Sequence, residues 1–137
     1  MIGQPVDALE ATALALVAPG KGILAADESN PTIEKRFHAL GVESTDVTRR
    51  TYRNLLFTTP GVEAFVSGVI LFDETMRQAA DDGTPFPALL EARGIIPGIK
   101  VDRGAKPLAG ALDEKITEGL EGLRERLAEY RDLGARI

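Results

Sequence analysis

Four polar residues, Asp27 to Asn30, follow a short apolar run, Ile23–Ala26, and stand directly before Pro31. A carboxylate can transfer a proton as a general acid or base, and hydroxyl groups at a helix N-terminus can bind phosphate. Ser29 and Asn30 are also favourable helix caps, so capping alone explains the same pattern equally well. The stretch predicts either a proton-transfer and phosphate site or only the start of a helix.

A second candidate is Lys100, which stands in the apolar run Ile95–Val101 and precedes Asp102-Arg103-Gly104. A charged residue within a buried strand needs a partner or a ligand. Pairing with a neighbouring aspartate is the alternative to a ligand-binding role. Lys100 is therefore the second residue expected to carry function.

Several other kinds of site are excluded by the residues present. The chain has no cysteine, which excludes disulfides, thiolate metal sites and cysteine nucleophiles. His38 is the single histidine, too few for a relay or a histidine metal site, and a surface or interface role is expected for it. The cluster of Arg49, Arg50 and Arg53 predicts a solvated or salt-bridged face. No metal and no cofactor is expected.

Length and charge limit the partners. The 137 residues suffice for one domain with a core, and 16 basic against 21 acidic residues give a net charge of −5. This balance argues against nucleic acid, although a few local cations can still bind a small phosphate compound. The sequence has neither a signal-peptide pattern nor an apolar run of membrane length, so no membrane partner is expected and a cytoplasmic location is predicted.

Alternating helices and strands must position the candidates. Helices are predicted over residues 5–17, 31–40, 46–57, 87–93 and 117–133, and buried strands over 23–26, 66–72 and 95–101. Asp46 is expected to cap the third helix, and Pro97-Gly98 to delay the third strand until about Ile99. The last helix rests on an apolar stripe formed by Ile116, Leu120, Leu123, Leu127 and Tyr130.

This alternation predicts an α/β fold with a parallel sheet, strand order 1-2-3 and right-handed helical crossovers. Parallel strands end at the same edge of a sheet, so Asp27 and Lys100 are expected to lie near each other at one end.

Five segments resemble class I fructose-bisphosphate aldolases, in the same order as in that family. They are Gly20–Ser29 (Gly-Lys-Gly-Ile-Leu-Ala-Ala-Asp-Glu-Ser), Gly68–Phe72, Ala80–Gly83 with Pro85-Phe86-Pro87, Gly98–Asp102 and Pro107–Gly110. Together they extend over nearly the whole chain, which makes the resemblance specific.

The resemblance implies a TIM barrel that cleaves fructose 1,6-bisphosphate into dihydroxyacetone phosphate and glyceraldehyde 3-phosphate through a lysine Schiff base, without metal. It assigns proton transfer to Asp27 and contact with a substrate phosphate to Lys100, which also organises the charges of the site. Ser29, Thr32 and Arg36 fall on substrate-binding positions, and Thr32 keeps the hydroxyl of the serine common in the family. Asp73 replaces a residue that is commonly histidine in the animal enzymes.

A TIM barrel takes about 250 residues, so the resemblance covers an N-terminal portion and residues 1–137 are expected to form one incomplete domain. The family's Schiff-base lysine lies beyond Ile137, and neither Lys106 nor Lys115 matches its position. The chain alone is expected to be inactive, with one unpaired side on strands 1 and 3 and incompletely covered helices. It is expected to form a homo-oligomer or to need the missing part of the barrel. The alternative is a non-catalytic phosphate-binding or scaffold fragment.

Overall fold

A computed structural model describes residues 4–137, with side chains from Asp7 onward. Six α-helices occur in this part of the chain: α1 (Gln4–Leu16), α2 (Asn30–His38), α3 (Asp46–Thr58), α4 (Asp73–Met76), α5 (Phe86–Ala92) and α6 (Leu123–Asp132). Five strands lie between them: β1 (Gly22–Ala26), β2 (Val66–Leu71), β3 (Ile96–Ile99), β4 (Ala105–Pro107) and β5 (Lys115–Thr117). The prediction of one domain over residues 1–137 includes residues 1–3, which lie outside the described residues, and it stays a prediction.

The first three strands form one parallel sheet in the order β1-β2-β3, as predicted. Ala26 pairs with Leu71, and Leu71 pairs with Ile99, so the carboxyl ends of the three strands are level. The handedness of the crossovers stays a prediction. None of the helices within residues 4–137 is long and apolar enough to cross a membrane.

The hydrophobic core lies between β2, β3 and the helices α3, α5 and α6. The rings of Phe57 and Phe86 meet edge to face with centroids 5.2 Å apart. Leu71 and Leu90 are fully buried beside them, and Tyr130 brings α6 onto the same core. The core therefore covers the part of the sheet that leads to Lys100.

The prediction that the first strand is buried is wrong for most of β1. Ile23 is 47% exposed, and in the strand only Ala26 is buried. β1 pairs with β2 alone among the described residues, so it is an edge strand with little to cover it.

The prediction that Pro97-Gly98 delays the third strand is also wrong, because β3 begins at Ile96 and ends at Ile99. The carbonyl of Pro97 accepts from the Arg136 amide at 2.9 Å, so this residue directs its backbone groups away from β2. A proline at that position removes no bond from the β2–β3 ladder.

The expected free side of β3 is partly paired. Arg136 donates to Pro97, and the Ile99 amide donates to the carbonyl of Ile137 at 2.9 Å. Gly98 permits this approach, because a Cβ there would lie 2.6 Å from Cγ1 of Ile137. The prediction of an unpaired side is therefore wrong for β3, whereas β1 has it.

The last helix begins six residues later than predicted, at Leu123 instead of Thr117. Residues 105–117 form an antiparallel hairpin, β4–β5, and α6 begins only at Leu123. Gly119 and Gly122 have φ of +137° and +62°, which a right-handed helix does not accept. Leu120 is consequently exposed rather than part of an apolar stripe.

Candidate active site

The carboxyl end of the sheet carries the candidate residues predicted from the sequence. Since Ala26, Leu71 and Ile99 are level, the next residues along the three strands are Asp27, Phe72 and Lys100. One strand separates Asp27 from Lys100, which corresponds to about 10 Å between their backbones. Both therefore lie at the same end of the sheet, and their chemical roles remain predictions.

A cavity of about 490 Å³ opens at this end of the sheet. It is lined by Ser29, Phe72, Asp73, Lys100, Asp102, Arg103, Gly104, Arg126 and Tyr130. The cavity brings together Ser29 and Lys100 of the predicted site. Asp27, Thr32 and Arg36 stand outside its lining.

Ser29 begins α2 without capping it through its side chain. The carbonyl of Ser29 accepts from the amides of Thr32 and Ile33 at 2.8 and 3.0 Å, while its hydroxyl lies 3.2 Å from the Thr32 hydroxyl. Two hydroxyl groups thus stand together at the start of the helix, and the capping alternative does not account for the Ser29 side chain.

Glu28 is the buried anchor of this turn. Its carboxylate lies 2.7 Å from the guanidinium of Arg53, and the two side chains are only 8% and 4% exposed. The same carboxylate binds Arg36, which is otherwise exposed on α2.

The predicted basic face of Arg49, Arg50 and Arg53 is salt-bridged, as Arg49 pairs with Glu74 at 2.6 Å, but it is not solvated at Arg53. The predicted cap of α3 is wrong by one residue, because Thr45, and not Asp46, accepts from the helix.

Lys100 follows β3 instead of standing within it, and it forms an ion pair with Asp102. The other carboxylate oxygen of Asp102 accepts from the Gly104 amide at 2.9 Å. The Lys100 ammonium, and secondly the Gly104 amide, hold the pKa of Asp102 below its usual value. The pairing alternative considered for Lys100 is thus present, at the wall of the cavity.

Asp73 and Tyr130 form a pair that the sequence did not reveal. The Tyr130 hydroxyl donates to Asp73 at 3.0 Å, and Arg77 donates to the same carboxylate at 3.0 Å and to Glu129 at 2.6 Å. Arg77, more than Tyr130, lowers the pKa of Asp73, while burial and then Asp73 raise the pKa of Tyr130. The position of Asp73 directly after a predicted strand could have indicated a site residue, whereas Tyr130 had the spacing of a core residue in the apolar stripe of the last helix.

Arg103 and Arg126 add two cations to the cavity wall, and neither had a distinguishing sequence signal. Arg126 donates to the carbonyl of Val101 at 2.9 Å and to that of Gly119. It reaches the segment after β3 from α6, 25 residues further along the chain.

The other candidate groups lie elsewhere. His38 is exposed at the end of α2, and Lys106 and Lys115 are exposed in the β4–β5 hairpin. Within residues 4–137, no group of three or more histidine, aspartate or glutamate side chains could hold a metal ion.

Comparison with known proteins identifies what this arrangement is similar to. The model of the family described as glycolytic fructose-bisphosphate aldolase class-I matches residues 8–137. A probable fructose-bisphosphate aldolase class 1 of Xanthomonas campestris is 59% identical over 96% of the chain, and fructose-bisphosphate aldolase 1 of Caenorhabditis elegans is 52% identical over 96%.

A solved structure agrees. The fructose-bisphosphate aldolase of Plasmodium falciparum, in a ternary complex with TRAP and a small-molecule inhibitor, superposes with a TM-score of 0.95 and 48% identity over the whole chain. The chain spans about 40% of the length of these relatives, 36% for the nematode protein. The predicted fold, three parallel strands of an incomplete TIM barrel, is confirmed.

Proposed function

Because the chain belongs to the class-I fructose-bisphosphate aldolase family, we propose that its cavity is part of a site for the reversible cleavage of fructose 1,6-bisphosphate to dihydroxyacetone phosphate and glyceraldehyde 3-phosphate. The observation that carries the proposal is that Ser29 and Lys100 line the same cavity. Asp27 and Lys100 also follow the level carboxyl ends of two parallel strands, so Asp27 lies at the same end of the sheet. The chain is thereby proposed to act in glycolysis, and its cytoplasmic location stays a prediction.

The proposed division of work follows from the chemistry of these groups. Lys100 supplies a cation, and Ser29 and Thr32 supply hydroxyl donors beside the first turn of α2, which suits one phosphate of the sugar. Arg36, held by Glu28, is a second cation near that turn. Asp27 is proposed to take or return the proton of the substrate hydroxyl next to the breaking carbon–carbon bond.

We also propose that the 137-residue chain binds the substrate without cleaving it. Imine formation needs a lysine amine directed at the substrate carbonyl, where it serves as an electron sink. Among the described residues, Lys100 is the only lysine that lines the cavity, and it is paired with Asp102. Lys106 and Lys115 are exposed in a hairpin and line no part of the cavity. General acid–base help from Asp27 would contribute only about 10²–10⁴-fold in rate.

A second candidate function is a non-catalytic phosphate-binding or scaffold unit that associates with itself or with a separate chain. The free edge of β1 favours it, since unpaired edges invite pairing. Exposed Leu9, Leu14 and Val17 on and after α1 favour it as well.

The test is a titration of the 137-residue chain with fructose 1,6-bisphosphate and, separately, with inorganic phosphate, followed by NMR. We expect Lys100→Gln to weaken binding about 10- to 100-fold, since hydrogen bonds to charged groups contribute about 1.5–3 kcal/mol. Lys21→Gln is the matched control, because Lys21 is an exposed lysine at the opposite end of β1. Equal binding by both variants would contradict the proposed site.

An aldol-cleavage assay with borohydride trapping tests the catalytic part. We expect no turnover and no trapped adduct from the chain alone. Inactivation by borohydride only in the presence of substrate would show that one of its lysines forms the imine. Size-exclusion chromatography then separates a self-associating unit from a monomer.

A further inference from the structure

We infer that Arg126 is a positioning residue that holds the segment Lys100–Gly104 in the geometry needed for phosphate binding. The inference rests on the proposed function, because it concerns how that site is built. Neither the sequence resemblance nor the apolar periodicity pointed to Arg126.

Backbone hydrogen bonds join the segment after β3 to the end of the β4–β5 hairpin. The backbone amide of Arg103 donates to the carbonyl of Glu118 at 2.8 Å, and the Glu118 amide donates to the carbonyl of Gly104 at 3.0 Å. Gly119 lies against it so closely that a Cβ there would stand 3.0 Å from the Cα of Asp102. The segment is thus fitted against the end of the hairpin.

Arg126 links the segment after β3 to the residues that follow the hairpin. One guanidinium nitrogen donates to Val101, the residue directly after Lys100, and another donates to Gly119. Two main-chain carbonyls are thereby fixed by one planar cation, a geometry that the single ammonium of lysine does not reproduce. Arg126 is also one of the residues that line the cavity, so the contacts it makes are at the proposed ligand site.

A second residue of α6, Tyr130, fixes the position of the helix independently of Arg126. Tyr130 follows one helical turn later, is 4% exposed and is bound to Asp73. The helix therefore has an anchor of its own, and removal of the Arg126 side chain should release the segment without releasing α6.

The experiment compares Arg126→Gln and Arg126→Lys in the 137-residue chain, with Arg124→Gln as control. Arg124 is an exposed residue of the same helix. Two quantities are measured: amide hydrogen exchange at Arg103, Gly104 and Glu118, and the Kd for inorganic phosphate.

We expect Arg126→Gln to raise exchange at these three amides about tenfold and to raise the Kd about tenfold. The amides of the central strand β2 should keep their protection. Arg126→Lys should give an intermediate effect on both quantities, and Arg124→Gln should change neither.

Two results would overturn the inference. Unchanged exchange and unchanged Kd in Arg126→Gln would show that the contacts do not order the site, and loss of protection throughout β2 would show that Arg126 only stabilises the fold. Failure of the proposed function is distinguishable: the wild-type chain would then not bind phosphate, while the exchange data would still show whether Arg126 orders the segment.

Discussion

Glu28→Gln removes the negative charge of a buried ion pair and is expected to destabilise the fold. The Glu28 carboxylate and the Arg53 guanidinium lie 2.7 Å apart and are 8% and 4% exposed. The two facing atoms, Oε2 and Nη1, have no other hydrogen-bond partner among the described residues. Removing the anion would leave Arg53 as a buried cation without a counter-ion, beside the main-chain carbonyl of residue 28 at 3.4 Å and the Tyr52 ring, whose centroid is 5.3 Å away.

The expected magnitude is set by this uncompensated charge. Breaking a buried ion pair from one side costs about 3–5 kcal/mol. Glutamine keeps the volume and one acceptor, so we expect the lower end, about 3 kcal/mol, out of a total stability of about 5–15 kcal/mol. Arg36→Gln removes the exposed partner of the same carboxylate and should cost about 0–1 kcal/mol. The double substitution Glu28→Gln with Arg53→Met should recover part of the loss, because no charge is then left buried.

Urea unfolding at pH 7, followed by circular dichroism, measures these differences. With a urea dependence of about 1–3 kcal/mol per molar, a loss of about 3 kcal/mol lowers the midpoint by roughly 1–3 M. Equal losses for Glu28→Gln and Arg36→Gln would refute the reasoning, because burial would then make no difference. A double variant less stable than Glu28→Gln would refute it as well.

Two further predictions concern the cavity and the C-terminal residues. Asp73→Asn should cost about 1 kcal/mol at pH 7, where the half-exposed carboxylate is partly screened. The difference should begin to decrease as the pH falls towards about 4, the ordinary pKa of an aspartate, and should vanish only below the lowered pKa of folded Asp73, because a lowered folded pKa contributes stability that is lost as pH falls through it. Urea unfolding at pH 7, 5 and 3 measures this, and a pH-independent difference would contradict it. Gly98→Ala should displace Ile137 and reduce hydrogen-exchange protection of the β3 amide that donates to it. Gly22→Ala, which meets open space, is the control, and equal protection in both variants would count against the assignment.

The strand ends could be predicted from the sequence because they depend on local patterns. Apolar runs that stop at Asp27, Asp73 and near Lys100 mark buried strands, and a parallel sheet brings their ends to one edge. The three strands and their order follow from the same patterns. The two wrong predictions concern contacts with other elements. β1 is mostly exposed because few of the described residues pack against it, and Pro97 fits into β3 because its missing donor faces away from β2.

The contacts between distant residues could not be predicted in the same way. Tyr130 and Asp73 are 57 residues apart, and a buried tyrosine in an apolar stripe has the pattern of a core residue. Arg126 contacts main-chain carbonyls, which carry no side-chain signal in a sequence. The predicted last helix begins too early because an apolar spacing of three and four residues outweighed Gly119 and Gly122, whose positive φ values exclude a right-handed helix before Leu123.

The charges of the proposed site constrain how it can bind a phosphate. Lys100 already has Asp102 as its partner, and Arg36 already has Glu28. An incoming phosphate must therefore share these cations with a carboxylate or displace it, so the weakened ion pair offsets part of the energy that phosphate binding contributes. Arg103 and Arg126, which form no ion pair among the described residues, add positive charge without that competition. Phosphate binding by this chain should consequently be weak and sensitive to salt. Dissolved ions screen partly exposed charges, and the Debye length is about 10 Å at 0.1 M ionic strength.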